Sequence, residues 1–297
     1  MSERLPITHL DHVTLRVPDP EAAAAFYRQV LGLGETGRDA ATGAILMSAL
    51  RRDAATVSHH ELVIYPGGPA AMDHYGLAVS NTSALVEAAA LLRRRGVQVD
   101  GPREFETVHG PSVRLRDQDG VLFELTVSSP PLARPSARVP FDLVKLSHVN
   151  VKSPDPARAS RWWQEIMDFR LSDYIPETFY WLRCNQEHTV VAFVRAETPG
   201  LHHVGFEIAS WDEIKLLLDH LVANGVKVEF GPGRHGPGNT LFVYFLDPWR
   251  IRWEMLSEVT RIEDEATYQP GVWDPAGGRR AAVNLWGPPP PEAFMRG

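Results

Sequence analysis

Three residues in the second half of the chain could together hold a redox-active metal ion. His148, His203 and Glu254 each lie in a short run that alternates as a β-strand does. Two imidazoles and one carboxylate on separate strands are a set that binds Fe(II) on one face and leaves the other face open. The spacing therefore predicts a mononuclear metal centre suited to oxygenase chemistry. The three runs are KLSHVNV (145–151), LHHVGFEI (201–208) and IRWEML (251–256).

Glu254 is the most informative member of this set. It lies between Trp253 and Met255 in an apolar strand, where an unpartnered carboxylate would be strongly unfavourable. A lone histidine on a strand is usually structural, whereas the three residues together favour a ligand set. His202, next to His203, should point to the opposite face because side chains alternate along a strand, and we interpret it as structural.

The chain repeats its own pattern, which indicates how these residues are positioned. His12 and His148 open equivalent segments 136 residues apart, and each segment continues through Pro-Asp-Pro into a helical pattern. Asp19 should cap the first of these helices, and Pro20 suits its first turn. Three pairs of segments match in order: 10–33 with 146–169, 72–99 with 201–228, and 114–127 with 243–256.

The repeat predicts an α+β protein of four tandem βαβββ modules, arranged as two open, barrel-like domains. In the first module, the strands after the helix are predicted at 44–50, 60–66 and 75–80. A stretch rich in Pro, Ser and Arg indicates a linker between the halves. The predicted segments are an N-terminal domain without a functional metal site (1–130), the linker (128–140), a catalytic metal-binding domain (141–257) and a C-terminal tail over the active site (258–297).

Composition restricts the classes of function. The 297 residues are 44% hydrophobic and 23% charged, as in ordinary globular proteins, and the net charge of −7 argues against a nucleic-acid partner. MSERLPITHL lacks the apolar core of a secretion signal, and no apolar run approaches the roughly 20 residues of a membrane span. A single cysteine, Cys184, excludes an internal disulfide and a cysteine-based zinc site. We therefore expect a cytoplasmic protein without a membrane partner.

The motifs resemble those of a known superfamily. Four βαβββ modules with His, His and Glu in the second half are similar to the vicinal oxygen chelate superfamily, and more narrowly to type I extradiol catechol dioxygenases. The resemblance covers nearly the whole chain and is sharpest at LHHVGFEIASWDE (201–213) and GPGRHGPGNTLFVYFLDP (231–248). It implies Fe(II), or alternatively Mn(II), a catechol-type substrate cleaved next to its vicinal hydroxyls with both atoms of O2, and a homotetramer.

The resemblance also assigns roles to individual residues. His148, His203 and Glu254 would ligate the metal. His188 would be the acid–base residue on the dioxygen side, a role that suits histidine because its pKa lies near working pH. Tyr244 would hydrogen-bond the substrate oxygen, and His235 would orient this region.

The first half carries a similar set of residues. His12, His74 and Glu124 align with the three ligands, which leaves a second metal site open. Arg114, however, stands where Tyr244 stands in the repeat, and the resemblance implies an N-terminal half that has lost activity. We therefore expect a relic of duplication. Two further histidines continue the alignment: His59 with His188, and His109 with His235.

Candidate substrate contacts are less sharply defined. Phe230 directly precedes GPGRHG, where homoprotocatechuate enzymes would place an arginine that receives the substrate carboxylate. An aromatic residue there favours a neutral, alkyl- or aryl-substituted catechol, since an unpaired carboxylate in an apolar pocket is penalised. The other candidates are Trp181, Phe179 and Trp273, which could equally be packing residues, and Arg280 or Arg279 as a carboxylate partner.

Two alternative functions remain at this point. A metal-dependent isomerase, epimerase or transferase of the same superfamily would keep the ligands but would not need His188 and Tyr244 together. A small-molecule-binding protein of the same fold would not need an intact ligand set.

Overall fold

The chain divides into two compact units. A computed structural model describes residues 4–105, 110–136, 139–273, 283–292 and 294. One unit comprises residues 1–146 and 166–168, and the other comprises 147–165 and 169–297. No helix in these described ranges has the length and apolarity needed to cross a membrane.

The first unit contains two βαβββ modules and one eight-stranded sheet, with the order β2-β3-β5-β1-β6-β9-β8-β7. Strands β1 and β6 pair antiparallel where the modules meet, and each pairs parallel with the last long strand of its own module. The elements are β1 (Ile7–Val17), α1 (Pro20–Phe26), β2 (Gly34–Asp39), β3 (Ala44–Ser48), β4 (Thr56–Val57), β5 (Leu62–Pro66), β6 (Ala71–Val79), α2 (Thr82–Arg94), β7 (Asp100–Arg103), β8 (Ser112–Arg116), β9 (Leu122–Val127) and β10 (Leu132–Ala133).

The second unit repeats this arrangement in a nine-stranded sheet, with the order β16-β17-β18-β15-β11-β14-β13-β12-β19. The elements are β11 (Leu143–Ser153), which begins in the first unit, α3 (Pro156–Met167), β12 (Arg170–Ile175), β13 (Phe179–Arg183), β14 (Val191–Arg195), β15 (Gly200–Ile208), α4 (Trp211–Ala223), β16 (Val228–Arg234), β17 (Leu241–Leu246), β18 (Arg252–Ser257) and β19 (Gly271–Val272). The four predicted modules and the α+β class are confirmed.

Local sequence signals explain where the helices begin. Asp19 accepts a hydrogen bond from the backbone of Ala22 at 3.0 Å, so the predicted cap of α1 is confirmed. Asp155, its counterpart in the repeat, accepts from the backbone of Arg158 at the start of α3. Helix α1 is short and passes into a π-helical turn that ends at Gly32, which adopts the left-handed conformation that favours glycine.

One strand assignment in the first module was wrong. The first strand after the helix is β2, with the sequence GETGRD, which lacks apolar alternation and has Thr36 as its one β-branched residue. Its pairing with β3 therefore decides its conformation, and local propensity does not. The predicted strand at 75–80 lies mostly within β6, which opens the second module.

The predicted linker and tail both contain paired strands. Strand β10, within the linker, pairs antiparallel with β4. Strand β19, in the tail, pairs parallel with β12 and extends the second sheet. The tail also buries Ile262 and Phe294. Both segments are therefore integrated into the units that contain them.

Candidate active site

Three buried donor atoms meet at the centre of the second sheet. The Nε2 atoms of His148 and His203 lie 3.0 Å apart, and each lies 3.0 Å from Oε2 of Glu254. Three donors on one face of an octahedron with metal bonds of about 2.1 Å would be separated by about 3.0 Å. The separations therefore fit one metal ion with three open positions.

Adjacent strands bring these residues together. His148 is on β11, His203 on β15 and Glu254 on β18, which are consecutive in the sheet. Gly205 lies opposite Glu254 in the parallel pairing of β15 with β18. A Cβ atom at Gly205 would collide with the His148 ring, so the absence of a side chain makes room for this ligand.

Electrostatics favour the protonation states that a metal needs. Burial would raise the pKa of Glu254, but hydrogen bonds with His148, His203 and His235 hold it well below its ordinary value. Burial lowers the pKa of His203 to about 4, although Glu254 opposes that change. At neutral pH an ionised carboxylate therefore faces a neutral imidazole, which is the state that binds a metal cation.

The residue that precedes each of four aligned histidines contacts its Nδ1 atom. His202 does so for His203, and it also lines the cavity. Alternation predicted that His202 would point away from the metal site, and this prediction was wrong. Alternation fixes only the Cα–Cβ direction, and an imidazole is long enough to reach back. The four Nδ1 contacts are His12 with Asp11 (2.9 Å), His74 with Asp73 (2.7 Å), His148 with Ser147 (3.3 Å) and His203 with His202 (2.7 Å).

Tyr244 and His235 lie beside the carboxylate ligand. Tyr244 pairs with Glu254 in the antiparallel register of β17 and β18. Its hydroxyl lies 3.1 Å from Nε2 of His235, and that nitrogen lies 3.3 Å from Oε1 of Glu254. Burial, with the nearby Glu254 charge, raises the pKa of Tyr244 well above 10, so the phenol stays protonated and can donate. The structure thus brings both predicted residues to the ligand set.

His188 lies in the loop between β13 and β14 and faces the same cavity. Its Nδ1 lies 2.9 Å from Oγ1 of Thr189, and its Nε2 lies 3.0 Å from Oδ2 of Asp173. Asp173 and Thr189 were not singled out from the sequence. Asp173 is fifteen residues from His188 and belongs to no motif, so only the pairing of strands could reveal it.

Aromatic and aliphatic side chains form much of the remaining cavity wall. Trp181 lines it, stacked on Phe179 with ring centroids 4.0 Å apart. Among the described residues that line the cavity, none is Lys or Arg. The apolar lining residues are Phe179, Trp181, Pro237, Leu256, Val259, Val283 and Phe294.

The other proposed substrate contacts lie elsewhere. Phe230 does not line the cavity but packs behind Tyr244, with nearly parallel rings 5.9 Å apart. Trp273 lies against Gly236 and is likewise absent from the described lining. Arg279 and Arg280 lie outside the described residues.

The tail reaches the site through backbone groups. The carbonyl of Val283 accepts a hydrogen bond from Nδ1 of His235 at 2.6 Å. The carbonyl of Phe294 lies 3.1 Å from Nε2 of His202. The N–H of Gly271 donates to Oδ1 of Asp173 at 2.7 Å. The tail therefore holds two polar side chains that line the cavity, His235 and His202, and a third, Asp173, that contacts the lining residue His188.

In the aligned set of the first unit, the donor atoms lie farther apart and the guanidinium of Arg114 pairs with the carboxylate. Oxygen atoms of Glu124 lie 3.6 Å from Nε2 of His12 and 3.8 Å from Nε2 of His74. Arg114 donates to Glu124 at 3.0 Å, and Ser112 donates to the same oxygen at 2.9 Å. A metal ion here would have to compete with the guanidinium charge. His59 contacts His60, and His109 lies outside the described residues.

Comparison with known proteins defines the family. A sequence profile of the glyoxalase/bleomycin resistance protein/dioxygenase superfamily matches residues 9–125 and 145–255. The chain belongs to this superfamily. Each matched segment coincides with one pair of modules, and the second contains all three donors described above.

Individual relatives resemble the chain over most of its length. A manganese-dependent 2,3-dihydroxybiphenyl 1,2-dioxygenase from Geobacillus genomosp. 3 is 27% identical over 265 residues, 82% of each chain. Homoprotocatechuate 2,3-dioxygenase from Arthrobacter globiformis superposes with a TM-score of 0.87 at 26% identity, covering 100% of this chain and 93% of that one. A Mn(II)-bound glyoxalase from Novosphingobium aromaticivorans gives 0.85 at 28% identity, covering 97% and 93%.

Proposed function

We propose that this protein is a metal-dependent extradiol dioxygenase, which cleaves the ring of a catechol-type substrate next to its vicinal hydroxyls and inserts both atoms of O2. The observation that carries the proposal is the joint placement of the ligand set and three further polar residues. His148, His203 and Glu254 present donors 3.0 Å apart. The cavity above them is also lined by His188, His235 and Tyr244.

The ligand set fits Fe(II), with Mn(II) as the alternative. A bound metal would supply positions at which the catechol oxygens and dioxygen meet. One relative is named manganese-dependent, so metal identity has to be measured. Protein loaded anaerobically with each metal in turn, then assayed for turnover, distinguishes the two.

Tyr244 and His235 would bind and orient the substrate hydroxyls. The raised pKa of Tyr244 keeps its proton in place, so the phenol can donate to a deprotonated substrate oxygen. His235 lies between Tyr244, Glu254 and the carbonyl of Val283, which restricts its ring orientation. His188, which also lines the cavity, would exchange the proton needed for ring cleavage.

The apolar wall supports a neutral catechol with an alkyl or aryl substituent. Phe179 and Trp181 offer a stacked aromatic surface, and no Lys or Arg is among the described lining residues. A substrate carboxylate would therefore lack a partner unless Arg279 or Arg280 reaches it. A panel of substituted catechols, compared by kcat/KM, tests this preference.

A metal-dependent isomerase is the second candidate function, because a Mn(II)-bound glyoxalase matches the chain over nearly its full length. The two reactions differ in their need for oxygen. We would load the protein with Fe(II) or Mn(II), add a catechol anaerobically, and then admit air. An extradiol enzyme should consume oxygen and form a yellow ring-fission product. Turnover of an isomerase substrate without oxygen uptake, and no reaction with any catechol, would favour the second candidate.

The wider organisation is part of the same proposal. Residues 1–130 would form a domain without a functional metal site, residues 141–257 the catalytic domain, and residues 258–297 a cover for its active site. The contacts of Val283 and Phe294 at the cavity support this role for the tail. We further propose a cytoplasmic homotetramer, which sedimentation and cell fractionation would test.

A further inference from the structure

Asp173 is a buried carboxylate that the reaction described above does not yet use. It lies on β12 with 6% of its surface exposed, and it does not line the cavity. Its Oδ2 lies 3.0 Å from Nε2 of His188, whose side chain is also buried. The carboxylate therefore contacts the Nε2 side of the imidazole and is not among the described residues that line the cavity.

Several donors hold this carboxylate in place. Gly271 donates its N–H to Oδ1 at 2.7 Å, and Gly238 donates to Oδ2 at 3.3 Å. The Tyr268 hydroxyl lies 3.5 Å from Oδ1. Burial would raise the pKa of Asp173, but the hydrogen bond with His188, the His188 charge and the bond from Gly271 lower it overall. Asp173 is therefore ionised at neutral pH and can only accept hydrogen bonds.

The surrounding charges leave this pairing intact. Arg183 lies over the Tyr268 ring, 4.7 Å from its centroid, but its guanidinium donates to Glu265 at 2.7 and 3.1 Å. His188 is consequently the charged or titratable side chain within hydrogen-bond distance of Oδ2 among the described residues.

An acceptor at Nε2 determines where the His188 proton resides. Because Asp173 accepts, Nε2 must carry a hydrogen whether the ring is neutral or positively charged. Proton uptake and release are then confined to Nδ1. That atom lies 2.9 Å from Oγ1 of Thr189, and both residues line the cavity.

We propose that Asp173 is a positioning residue that keeps the hydrogen on Nε2 of His188, so that this ring exchanges its proton with the cavity through Nδ1. The inference rests on the proposed function only for the identity of the molecule with which His188 exchanges its proton. The fixed tautomer concerns the protein itself and can be measured without substrate. Asp173 would thus act on catalysis through His188. Gly271, in the tail, donates a hydrogen bond to Asp173 and so links the tail to this role.

Nitrogen-15 NMR of histidine-labelled protein tests the tautomer directly. The protein would be loaded with Zn(II), which is diamagnetic, and the His188 signals assigned by their loss in His188→Asn. We expect the neutral wild-type ring of His188 to carry its hydrogen on Nε2 and none on Nδ1. A neutral wild-type ring with its hydrogen on Nδ1 would overturn the proposal, whether or not any variant folds.

Asp173→Asn tests the consequence for turnover. The amide has one oxygen, which Gly271 can occupy, and its NH2 group would then face Nε2 and force the hydrogen to Nδ1. We expect that tautomer change, a fall in kcat of about 100-fold, and a catechol dissociation constant under anaerobic conditions within about twofold of wild type. An unchanged tautomer or an unchanged kcat in the folded variant would contradict the proposal.

Asp264→Asn is the matched control. Like Asp173→Asn, it removes one negative charge, in this case from the tail. Asp264, however, is exposed and accepts hydrogen bonds within its own turn, from Ala266 and Thr267. It should leave both the His188 tautomer and kcat unchanged.

If wild-type protein turns over no catechol while His188 still carries its hydrogen on Nε2, the proposed function fails and the positioning role of Asp173 stands.

Discussion

Glu254 contacts three imidazoles at once, which makes its charge the centre of the site. Glu254→Gln keeps the shape of the side chain but replaces one oxygen with an NH2 group and removes the charge. We expect metal affinity to fall by more than about 100-fold, a larger effect than is usual for residues outside the ligand set. Metal content after dialysis against a chelator, measured by elemental analysis, gives the comparison.

His74→Ala, in the first unit, is the control for that measurement. Arg114 already neutralises Glu124 there, so metal content should stay near one ion per chain. Two ions per wild-type chain, or full metal content in Glu254→Gln, would contradict our interpretation of the two halves.

At the scale of single elements, the turn between β8 and β9 contains a buried carboxylate, Asp117. It lacks the hydrogen bond that its counterpart in the second half, Asp247, accepts. Asp247, in the turn between β17 and β18, accepts from the indole of Trp253 at 3.1 Å. Asp117 has Phe123 at the corresponding position, and its Oδ2 has no hydrogen-bond partner among the described residues. Burial raises the pKa of Asp117 to about 6. Ionised Asp117 therefore destabilises the fold.

Asp117→Asn should stabilise the protein in a pH-dependent way. Because the folded pKa exceeds the ordinary value, the stability from protonated Asp117 is complete below about pH 4 and is lost as pH rises through 6. Relative to wild type, the variant should therefore gain up to about 3 kcal/mol in free energy of unfolding between pH 4 and pH 8. Urea unfolding at both pH values measures this gain, and a constant difference between the proteins would refute the explanation.

The contact between adjacent residues on β15 leads to a separate prediction. His202 can hold His203 with the hydrogen on Nδ1, which leaves Nε2 free for a metal. His202→Phe should lower metal affinity about 10- to 100-fold while the protein stays folded. Ser147→Ala should have less effect, since the Ser147 contact is longer at 3.3 Å. Competition with a fluorescent chelator measures both, and equal affinities in His202→Phe and wild type would show that the contact is incidental.

Alternation and the internal repeat were enough to predict the four modules, because each apolar run had a counterpart elsewhere in the chain. The same two patterns predicted that His148, His203 and Glu254 lie on separate strands. Neither pattern is present in β2, whose polar sequence takes its conformation from pairing with β3. Asp173 also escaped prediction, since its contact with His188 depends on how β12 and the loop between β13 and β14 meet.

At the scale of the whole molecule, the tail supplies backbone partners to side chains of a candidate site whose metal donors all lie outside the tail. Truncation after Ser257 removes the backbone groups that hold His235, His202 and Asp173. The shortened protein should still bind one metal ion, with weaker affinity, but kcat/KM should fall by about 100-fold or more because these side chains lose their orientation. Steady-state kinetics and metal analysis of the same preparation provide the measurement.

Trp286→Ala is the control for the truncation, since this side chain is 55% exposed. It should leave the kinetics unchanged. A truncated protein with the kinetics of the full chain would show that the tail has no part in turnover.

The tail's use of backbone groups predicts an unusual pattern of mutational tolerance. Every amino acid carries the carbonyl that Val283 and Phe294 present, so no side-chain substitution can delete those two acceptors. Only proline would remove the N–H that Gly271 offers to Asp173. An alanine scan along this segment should therefore understate its importance, and related sequences could diverge here while the site keeps the same supports.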